Sequence, residues 1–255
     1  MLAKHCPGSL GFVQPKPEMF RCPNCGRDVE IWSDEAMRTC PLCSKTVFRP
    51  GMQSCLDWCK HAKECVGDEK LGQYTRMKGV LRKQALSHAL EAYFGGDTRR
   101  IRHAKRTAEY AEMILAEEPG ADPNVVMAAA WLHDIGIRNA EAKHGSADAS
   151  YQEVEGPPVA RDILKKLDYA EDFIREVCDI IGHHHHPRAE ETVNFKALYD
   201  ADQLVNTEEE ASRSPTAGAG SSSVAACLTK SGVKLAEKLR CVSVATPAQK
   251  EVKHV

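Results

Sequence analysis

The stretch Ala130-Trp131-Leu132-His133-Asp134-Ile135-Gly136 places a histidine and an aspartate at the end of an apolar run. The run begins at Val125 and is almost unbroken, which predicts a helix buried nearly all round. An ionisable pair at the end of such a helix needs a partner or a metal ion to offset its loss of hydration. Gly136 lets the backbone turn where a side chain would crowd the pair. The stretch therefore predicts a helical core with a polar site at one end of its central helix.

Three other segments carry the histidines and carboxylates that can complete a metal site with this pair. They are His103 upstream, the run His183-His184-His185-His186 downstream, and Asp200-Ala201-Asp202. Neutral imidazole and carboxylate are ligands that borderline and hard divalent cations accept. A lone His-Asp pair is more often a capped helix end or a surface pair. The matching His103 and Asp202 favour the metal site.

Helical periodicity begins at about residue 80 and continues on both sides of the pair. Helices are expected at 80–94, 98–118, 159–167 and from about 170 to 181. Extending the last apolar stripe leads first to His184 and then to its neighbour His185, so the histidine run is expected to continue that helix. The polar stretch 138–146 predicts a lid or a substrate loop.

The pattern His, His-Asp, Asp resembles the HD-domain metal-dependent phosphohydrolases over residues 81–210. The resemblance implies an all-helical bundle with the metal in its centre and a phosphomonoesterase or phosphodiesterase activity, with a nucleotide as one candidate substrate. The second aspartate of the family's Asp-Ala-Asp-x-Leu motif matches Asp202, which leaves Asp200 as a hydrogen-bonding support. Family members with two metals carry another histidine where this sequence has Glu155. Glu155 is therefore expected to ligate or bridge, or the site holds a single metal.

The predicted metal site combines ligands with candidate catalytic groups. The candidate ligands for Mn, Mg, Co, Fe or Ni are His103, His133, Asp134, Glu155, His183, His184 and Asp202. A bound divalent ion lowers the pKa of water and polarises a phosphate, and Asp134 is expected to orient that water as well as to ligate. The charge that develops on the phosphate needs further cations, for which the candidates are Arg106, Arg138 and Lys143. Each of these three is by itself more often a solvated surface charge.

Two Cys-x-x-Cys pairs, Cys22 with Cys25 and Cys40 with Cys43, precede the helical region. Four thiolates at this spacing can surround Zn²⁺ tetrahedrally, although a redox dithiol pair has the same spacing. Asp28–Trp32 and Thr46–Phe48 predict short strands. Because so little apolar material could hardly fold without a metal, we interpret the segment as a structural zinc site. It resembles a zinc ribbon, which would serve stability or the docking of a protein partner.

A second cysteine cluster follows at Cys55, Cys59 and Cys65. With His61 or Cys6, these thiols could bind a second zinc or an iron–sulfur cluster. The alternative is that they are buried small residues that pack the ribbon against the next domain.

The composition favours an ordinary protein of the cytoplasm. A net charge of -2 over 255 residues gives no long-range field that would attract nucleic acid or an anionic membrane. The sequence has neither a transmembrane run nor the apolar segment of a signal peptide. Its 11 cysteines fit a reducing compartment as metal ligands or free thiols. The expected partner is a small phosphorylated substrate.

We predict a mainly α fold with a small N-terminal zinc ribbon. The expected parts are a leader at 1–18, the ribbon at 19–52, a second cysteine segment at 53–78, the HD-type domain at 79–211, a linker at 212–224 and a C-terminal helix and tail at 225–255. Two other functions remain open. One is a di-iron oxygenase on the same scaffold, since histidine and carboxylate also hold iron that activates O₂. The other is a non-catalytic, metal-stabilised regulatory or binding protein.

Overall fold

The structure is a computed structural model, which describes residues 14–22, 24–35, 37–48, 56, 59–213 and 227–245. The chain divides into two compact units, Met1–Gln84 and Ala85–Val255. Most of the expected leader, most of the expected linker, Cys6 and Cys55 lie outside the described residues. The predicted fold class is confirmed, because the described chain is mainly helical with short antiparallel strands near its N-terminus.

The first unit contains two short antiparallel hairpins. Strand β1 (Pro17–Arg21) pairs with β2 (Asp28–Trp32), and β3 (Met37–Thr39) pairs with β4 (Thr46–Phe48). In β2 the side chains of Val29 and Ile31 are buried and those between them are exposed, because successive residues of a strand point to opposite faces. The expected strands are both present, and strand structure also extends into the segment expected as leader.

Two helices follow the hairpins. Helix α1 (Ala62–Val66) is short and ends at Gly67, whose φ of 82° suits a glycine. Helix α2 (Asp68–Phe94) begins twelve residues before the expected start at 80 and ends just before Gly95, as predicted. The early start is a correction, and its sequence signal is the pair Asp68 and Glu69 in the first turn, where acidic side chains favour a helix.

The second unit is a helical bundle around a central helix. Helix α3 (Thr98–Leu115) lies against α4 (Pro123–Leu132), which also packs on the two helices α7 (Glu171–Ile181) and α8 (Val193–Arg213). Seven of the ten residues of α4 are buried, which confirms the helix expected from the apolar run. The carboxylate of Asp122 accepts a hydrogen bond from the Asn124 N–H and caps this helix.

The region after α4 differs from its prediction. The 3₁₀ turn His133–Gly136 leads into α5 (Ile137–His144), so most of the stretch expected as a lid or substrate loop is helical. Helix α6 (Ala149–Lys166) starts ten residues before the expected one at 159 and includes Pro157 and Pro158. Two prolines remove two backbone donors from the helix, and tertiary packing overrides that local cost. Gly156 supplies this packing, because its backbone lies against Gly136.

The histidine run is not helical. Helix α7 ends at Ile181, residues 182–185 form turns and His186 lies in a bend, which corrects the expectation that the histidines continue the helix. Gly182 follows the last helical residue and closes it through its N–H, which donates to the Cys178 carbonyl. The turns allow neighbouring histidines to point in directions that one helix face could not offer.

Helix α9 (Lys230–Ala245) is the expected C-terminal helix, and it packs on α8. The buried carboxylate of Asp200 accepts hydrogen bonds from the N–H groups of Leu228 and Thr229 and from the Thr229 hydroxyl. Gly232 belongs to the same contact, since a Cβ there would lie 2.2 Å from Asp200 Oδ2. Asp200 therefore supports the start of α9. Among the described helices, none is long and apolar enough to cross a membrane.

Candidate metal centre

The end of the central helix is where four separate elements bring their ionisable side chains together. His103 comes from α3, His133 and Asp134 from the 3₁₀ turn, Asp202 from α8, and His184 from the turn after α7. In the sequence these residues are spread from 103 to 202. Packing of α3, α7 and α8 around α4 is therefore what assembles them.

The distances between these side chains suit a shared cation. His103 Nε2 lies 3.0 Å from Asp202 Oδ1 and 3.7 Å from Asp134 Oδ2, and His133 Nε2 lies 3.5 Å from both carboxylates. Around an ion with bonds of about 2.1 Å, neighbouring ligand atoms lie about 3 to 3.4 Å apart. Two sets have all their ligand atoms within 4.8 Å: His103, His133 and Asp202, and next to them Asp134, His184 and His185.

Two buried histidines present unpartnered nitrogens at this point. The Nδ1–H of His133 donates to the Ala130 carbonyl at 3.0 Å, and that of His184 donates to the Ile181 carbonyl at 2.8 Å. A carbonyl only accepts, so Nδ1 carries a proton in each ring, and Nε2 offers a lone pair whenever the ring is neutral. Neither Nε2 has a hydrogen-bond partner within the described part of the chain. A buried lone pair without a partner is costly, and a cation would satisfy both, so these residues fit a metal ion.

Glu209 on α8 orients His103 and was not predicted from the sequence. His103 Nδ1 lies 3.1 Å from Glu209 Oε1, and because a carboxylate accepts, the Nδ1 carries the proton. The Nε2 of the ring is thereby directed toward Asp202. Glu209 follows Asp202 by seven residues, which is two helical turns on the same face, and this spacing is the signal that could have identified it.

The histidines and carboxylates stabilise each other's charged forms. Burial alone would lower the pKa of His133, but the charge of Asp134 and the proximity of Asp202 outweigh it and raise the pKa to about 9. Burial alone would also lower the pKa of His103, yet Asp202 raises it above its ordinary value. Conversely, the pKa values of Asp134 and Asp202 fall well below their usual range, because the histidines outweigh the burial that would raise them. The cluster therefore keeps its carboxylates ionised and ready for a cation.

A cavity of about 390 Å³ opens onto this cluster. His103, Asp134, His185 and Asp202 form part of its wall. The cationic side chains in the same wall are Arg99, Arg100 and Arg213. The cluster can thus meet a solute of small-molecule size on a surface that also offers positive charge.

The three cations predicted from the sequence have other partners and line no part of this cavity. Arg106 forms hydrogen bonds with Glu208, Glu109 and the hydroxyl of Tyr110. Arg138 donates to the Tyr93 carbonyl, and Lys143 donates to Glu155 at 2.5 Å. Their spacing in the sequence suggested proximity to the site, but each one is held by the carboxylates or carbonyls of its own surroundings.

Two predicted ligands also lie outside the two ligand sets. The carboxylate of Glu155 is 9% exposed and accepts hydrogen bonds from Lys143 and His144. His183 Nε2 lies 3.1 Å from Glu191 Oε1, and its ring stacks on Phe195. His184 and His185, the two histidines to which the apolar stripe of α7 pointed, lie in a ligand set, whereas His183 of the predicted ligands does not. Assignment of any of these residues as a ligand stays a prediction.

The four cysteines of the first unit form a separate cluster. Cys22 Sγ lies 3.6 Å from Cys43 Sγ, and Cys25 Sγ lies 3.6 Å from Cys40 Sγ, with all four thiols within 4.8 Å of one another. Four thiolates bound to Zn²⁺ with bonds of about 2.3 Å lie about 3.8 Å apart. The thiols are therefore spaced as a tetrahedral metal site requires.

Each Cys-x-x-Cys pair is closed by the same backbone hydrogen bonds. The N–H groups of Gly26 and Ser44 donate to the carbonyls of Cys22 and Cys40. Gly26 and Ser44 occupy equivalent positions and have φ of 71° and 58°. A hydrogen bond from the Lys45 N–H is the main cause that lowers the pKa of Cys43 to about 6. Backbone donors thus favour a thiolate in this cluster, as metal binding needs.

The second cysteine cluster is described only in part. Cys59 is a half-buried free thiol, Cys55 lies outside the described residues, and the side chain of Cys65 is not among those described. A metal at these three positions therefore stays a prediction.

Comparison with known proteins gave two matches. The family model described as HD domain matches residues 100–207. The chain is also similar to a solved structure, the crystal structure of a predicted HD superfamily hydrolase from an uncultured Thermotogales bacterium. The two share 27% identity over 63% of this chain and 86% of that one, with a TM-score of 0.48. No curated protein matched the chain.

Proposed function

We propose that this chain hydrolyses a phosphate ester at the cluster around His133 and Asp134. The proposal starts from the match of residues 100–207 to the HD domain, which favours a metal-dependent hydrolase. One observation carries the proposal. The carboxylates of Asp134 and Asp202 line a cavity whose wall also contains three arginines, and the buried Nε2 atoms of His133 and His184 lie 3.5 and 3.7 Å from the Asp134 carboxylate behind that wall. Histidine and carboxylate suit a catalytic divalent ion, and guanidinium groups suit the oxygens of a phosphate.

The residues that would hold the ion are His103, His133, Asp134 and Asp202. A divalent cation bound there supplies Lewis-acid polarisation of a phosphoryl oxygen and a water of lowered pKa. Glu209 keeps the His103 ring in one tautomer, and the Ala130 carbonyl does the same for His133. The chain thus directs these Nε2 atoms to one point before any ligand arrives.

The arginines of the cavity wall would bind the phosphate. Arg100 pairs with Asp97 and Glu141, and Arg213 pairs with Glu209. Arg99 has no hydrogen-bond or ion-pair partner among the described residues, so its guanidinium is available to phosphoryl oxygens. Asp134 reaches the same cavity and is placed to accept a proton from the attacking water.

The oxygenase is retained as a second candidate on a specific observation. The set containing Asp134, His184 and His185 adjoins the set containing His103, His133 and Asp202, so the cluster offers ligands for a pair of ions. Paired ions held by histidine and carboxylate serve oxygenases as well as hydrolases.

The test combines metal content with phosphate release from a panel of monoesters and diesters, with Mn²⁺, Mg²⁺, Co²⁺, Fe²⁺ or Ni²⁺ supplied. We expect Asp134→Asn to lower kcat/KM by at least about a thousandfold, because it removes a charge that faces the ion and the water. The matched control is Lys105→Gln, an exposed cation on α3 that lines neither cavity, and it should keep full activity. A wild-type protein that binds metal but releases no phosphate would refute the hydrolase, and O₂ uptake with Fe²⁺ would then select the oxygenase.

A further inference from the structure

The cavity of about 390 Å³ at the histidine–aspartate cluster is called the metal cavity below. A second cavity, of about 760 Å³, lies beside it along α3 and α8. Its lining includes the cations Arg99, Arg102, Arg106 and Arg213 and the carboxylates Glu208 and Glu209. Three of these residues, Arg99, Glu209 and Arg213, also line the metal cavity. We call the second cavity the arginine groove. A molecule bound at the metal cluster can therefore extend past Arg99 and Arg213 into the arginine groove.

The charges in this groove are only partly neutralised. Glu208 pairs with Arg106 at 2.8 Å, and Glu209 is shared between His103 and Arg213. Arg99 and Arg102 make no hydrogen bond or ion pair with any residue that the structure describes. Both acidic side chains of the groove are thus already used, and the groove keeps an excess of positive charge at these two arginines.

Other arginines of the same unit behave differently. Arg161 pairs with Glu171, Arg175 with Asp172, and Arg188 with Asp179. Nearby carboxylates thus hold these surface guanidinium groups. The absence of such partners at Arg99 and Arg102, on a concave surface next to the metal cluster, favours a ligand over simple solvation.

The spacing of residues on α3 places the arginine groove next to the histidine–aspartate cluster. Arg99, Arg102 and Arg106 follow one another at intervals of three and four residues, and His103 lies on the same face of the helix, four residues after Arg99. Arg102 is next to His103, and Arg99 is one turn away, about 6 Å along the axis. An anion beside Arg102 would therefore lie within the reach of one small molecule whose other anionic group sits at His103.

We propose that the arginine groove binds a second phosphoryl group of the substrate, with Arg102 as its main contact and Arg99 at the junction with the metal cavity. The substrate is then a molecule with two phosphoryl groups, such as a nucleoside diphosphate or a nucleoside bisphosphate, and a simple monoester is a poor one. This inference rests on the proposed function for the group that is hydrolysed. Guanidinium pairs with phosphate oxygens through two parallel hydrogen bonds, which makes arginine suited to this role.

The test measures the binding of AMP, ADP and adenosine 3′,5′-bisphosphate to the full chain by calorimetry in EDTA, where metal-dependent turnover is blocked. We expect the wild type to bind a two-phosphate ligand at least about tenfold more tightly than AMP. Arg102→Gln should abolish most of this preference, because it weakens the two-phosphate ligands more than AMP. Arg99→Gln should weaken all three ligands, because Arg99 lines both cavities. Lys105→Gln, on the same helix and outside both cavities, is the matched control and should resemble the wild type.

The results test the second phosphate site and the hydrolase activity separately. Equal affinities for AMP and both two-phosphate ligands, or an equal loss in Arg102→Gln and Lys105→Gln, would overturn it. A preference for ADP over the bisphosphate, or the reverse, supports it and identifies how the second phosphate is attached. Preferential binding without phosphate release under any metal would keep the groove and refute the hydrolase. If wild type and Arg102→Gln both turn over AMP as fast as the two-phosphate ligands, the hydrolase is kept and the second phosphate site is overturned.

Discussion

The four-cysteine cluster of the first unit and the histidine–aspartate cluster of the second differ in how they are assembled. The cysteines come from two short segments, each closed by hydrogen bonds between neighbouring residues. The histidines and aspartates come from elements that are distant in the sequence and meet only through helix packing. A local cluster can be recognised from spacing alone, whereas a cluster assembled by packing can be recognised only in outline.

The largest expected effect is on the local cluster. Cys40→Ser should abolish zinc binding by the first unit and unfold its hairpins, since structural zinc contributes about 10 to 16 kcal/mol of apparent binding free energy to such modules. Zinc content and two-dimensional NMR of the hairpin residues measure this. The metal content of the histidine–aspartate cluster should not change, because none of its residues lies in the first unit.

Cys59→Ser is the control for that experiment, because Cys59 is a free thiol outside the four-cysteine cluster. It should retain zinc and the hairpins. Loss of a metal equivalent in Cys59→Ser would instead place an ion at Cys55, Cys59 and Cys65.

The second effect tests how far packing determines the distant cluster. A Cβ at Gly136 would lie 2.4 Å from the Gln152 carbonyl oxygen and 2.6 Å from the Gly156 nitrogen. Gly136→Ala should therefore push α6 away and lower the free energy of unfolding by about 2 to 4 kcal/mol. Urea denaturation gives this value. Gly120→Ala, whose Cβ would meet nothing closer than 4.0 Å, should change it by less than about 0.5 kcal/mol, and equal losses would disprove the packing argument.

The third effect is a pH dependence of stability, which comes from the histidine–aspartate cluster when a chelator has removed its metal. The fold raises the pKa of His133 to about 9 from an ordinary value of 6.5, so it favours the protonated form. The resulting stabilisation is fully present below pH 6.5 and is lost as the pH rises through about 9. Asp134 and Asp202 have lowered pKa values, so their contribution is present above about pH 4 and is lost below it.

The melting temperature in EDTA should therefore decline between pH 6.5 and 9, and the decline should be weaker in His133→Gln. A melting temperature that is flat over this range in the wild type would show that the cluster does not hold His133 protonated.

The smallest expected effect concerns Glu209. Glu209→Gln replaces the carboxylate that accepts from His103 Nδ1 with an amide that can present either an acceptor or a donor. Outer partners of metal ligands typically affect metal affinity about 10- to 100-fold, so we expect a tenfold weaker affinity for Co²⁺ at the lower end of that range. A titration followed by the visible absorption of Co²⁺ measures this. Glu210→Gln, on the exposed side of α8, should leave the affinity for Co²⁺ unchanged. An equal loss of affinity in both variants would show that net charge, and not the contact with His103, is the cause.

Much of the distant cluster could still be predicted. The apolar run from Val125 indicated a buried helix, and seven of the ten residues of α4 are buried. The resemblance to HD proteins singled out His103, His133, Asp134 and Asp202, and the structure places these four together. Periodicity is a local property, so it identified which residues share a face of their own helix.

Contacts between elements could not be predicted in the same way. The sequence offered Arg106, Arg138 and Lys143 as cations near the site, whereas Arg99, Arg100 and Arg213 line the cavity. Proximity in the chain does not set which side chain points into a cavity, because that depends on how two helices cross.

The sequence by itself determined the four-cysteine spacing, the buried central helix and the presence of a histidine–aspartate motif at its end, since all three depend on neighbouring residues. Only the tertiary structure decided that His183 turns to Glu191 and that Glu209 supports His103. A turn in place of a helix redirected the histidines, and the packing of α3 on α8 brought Glu209 to His103. Distances across a bundle depend on the sum of many packing contacts, which no single stretch of sequence contains.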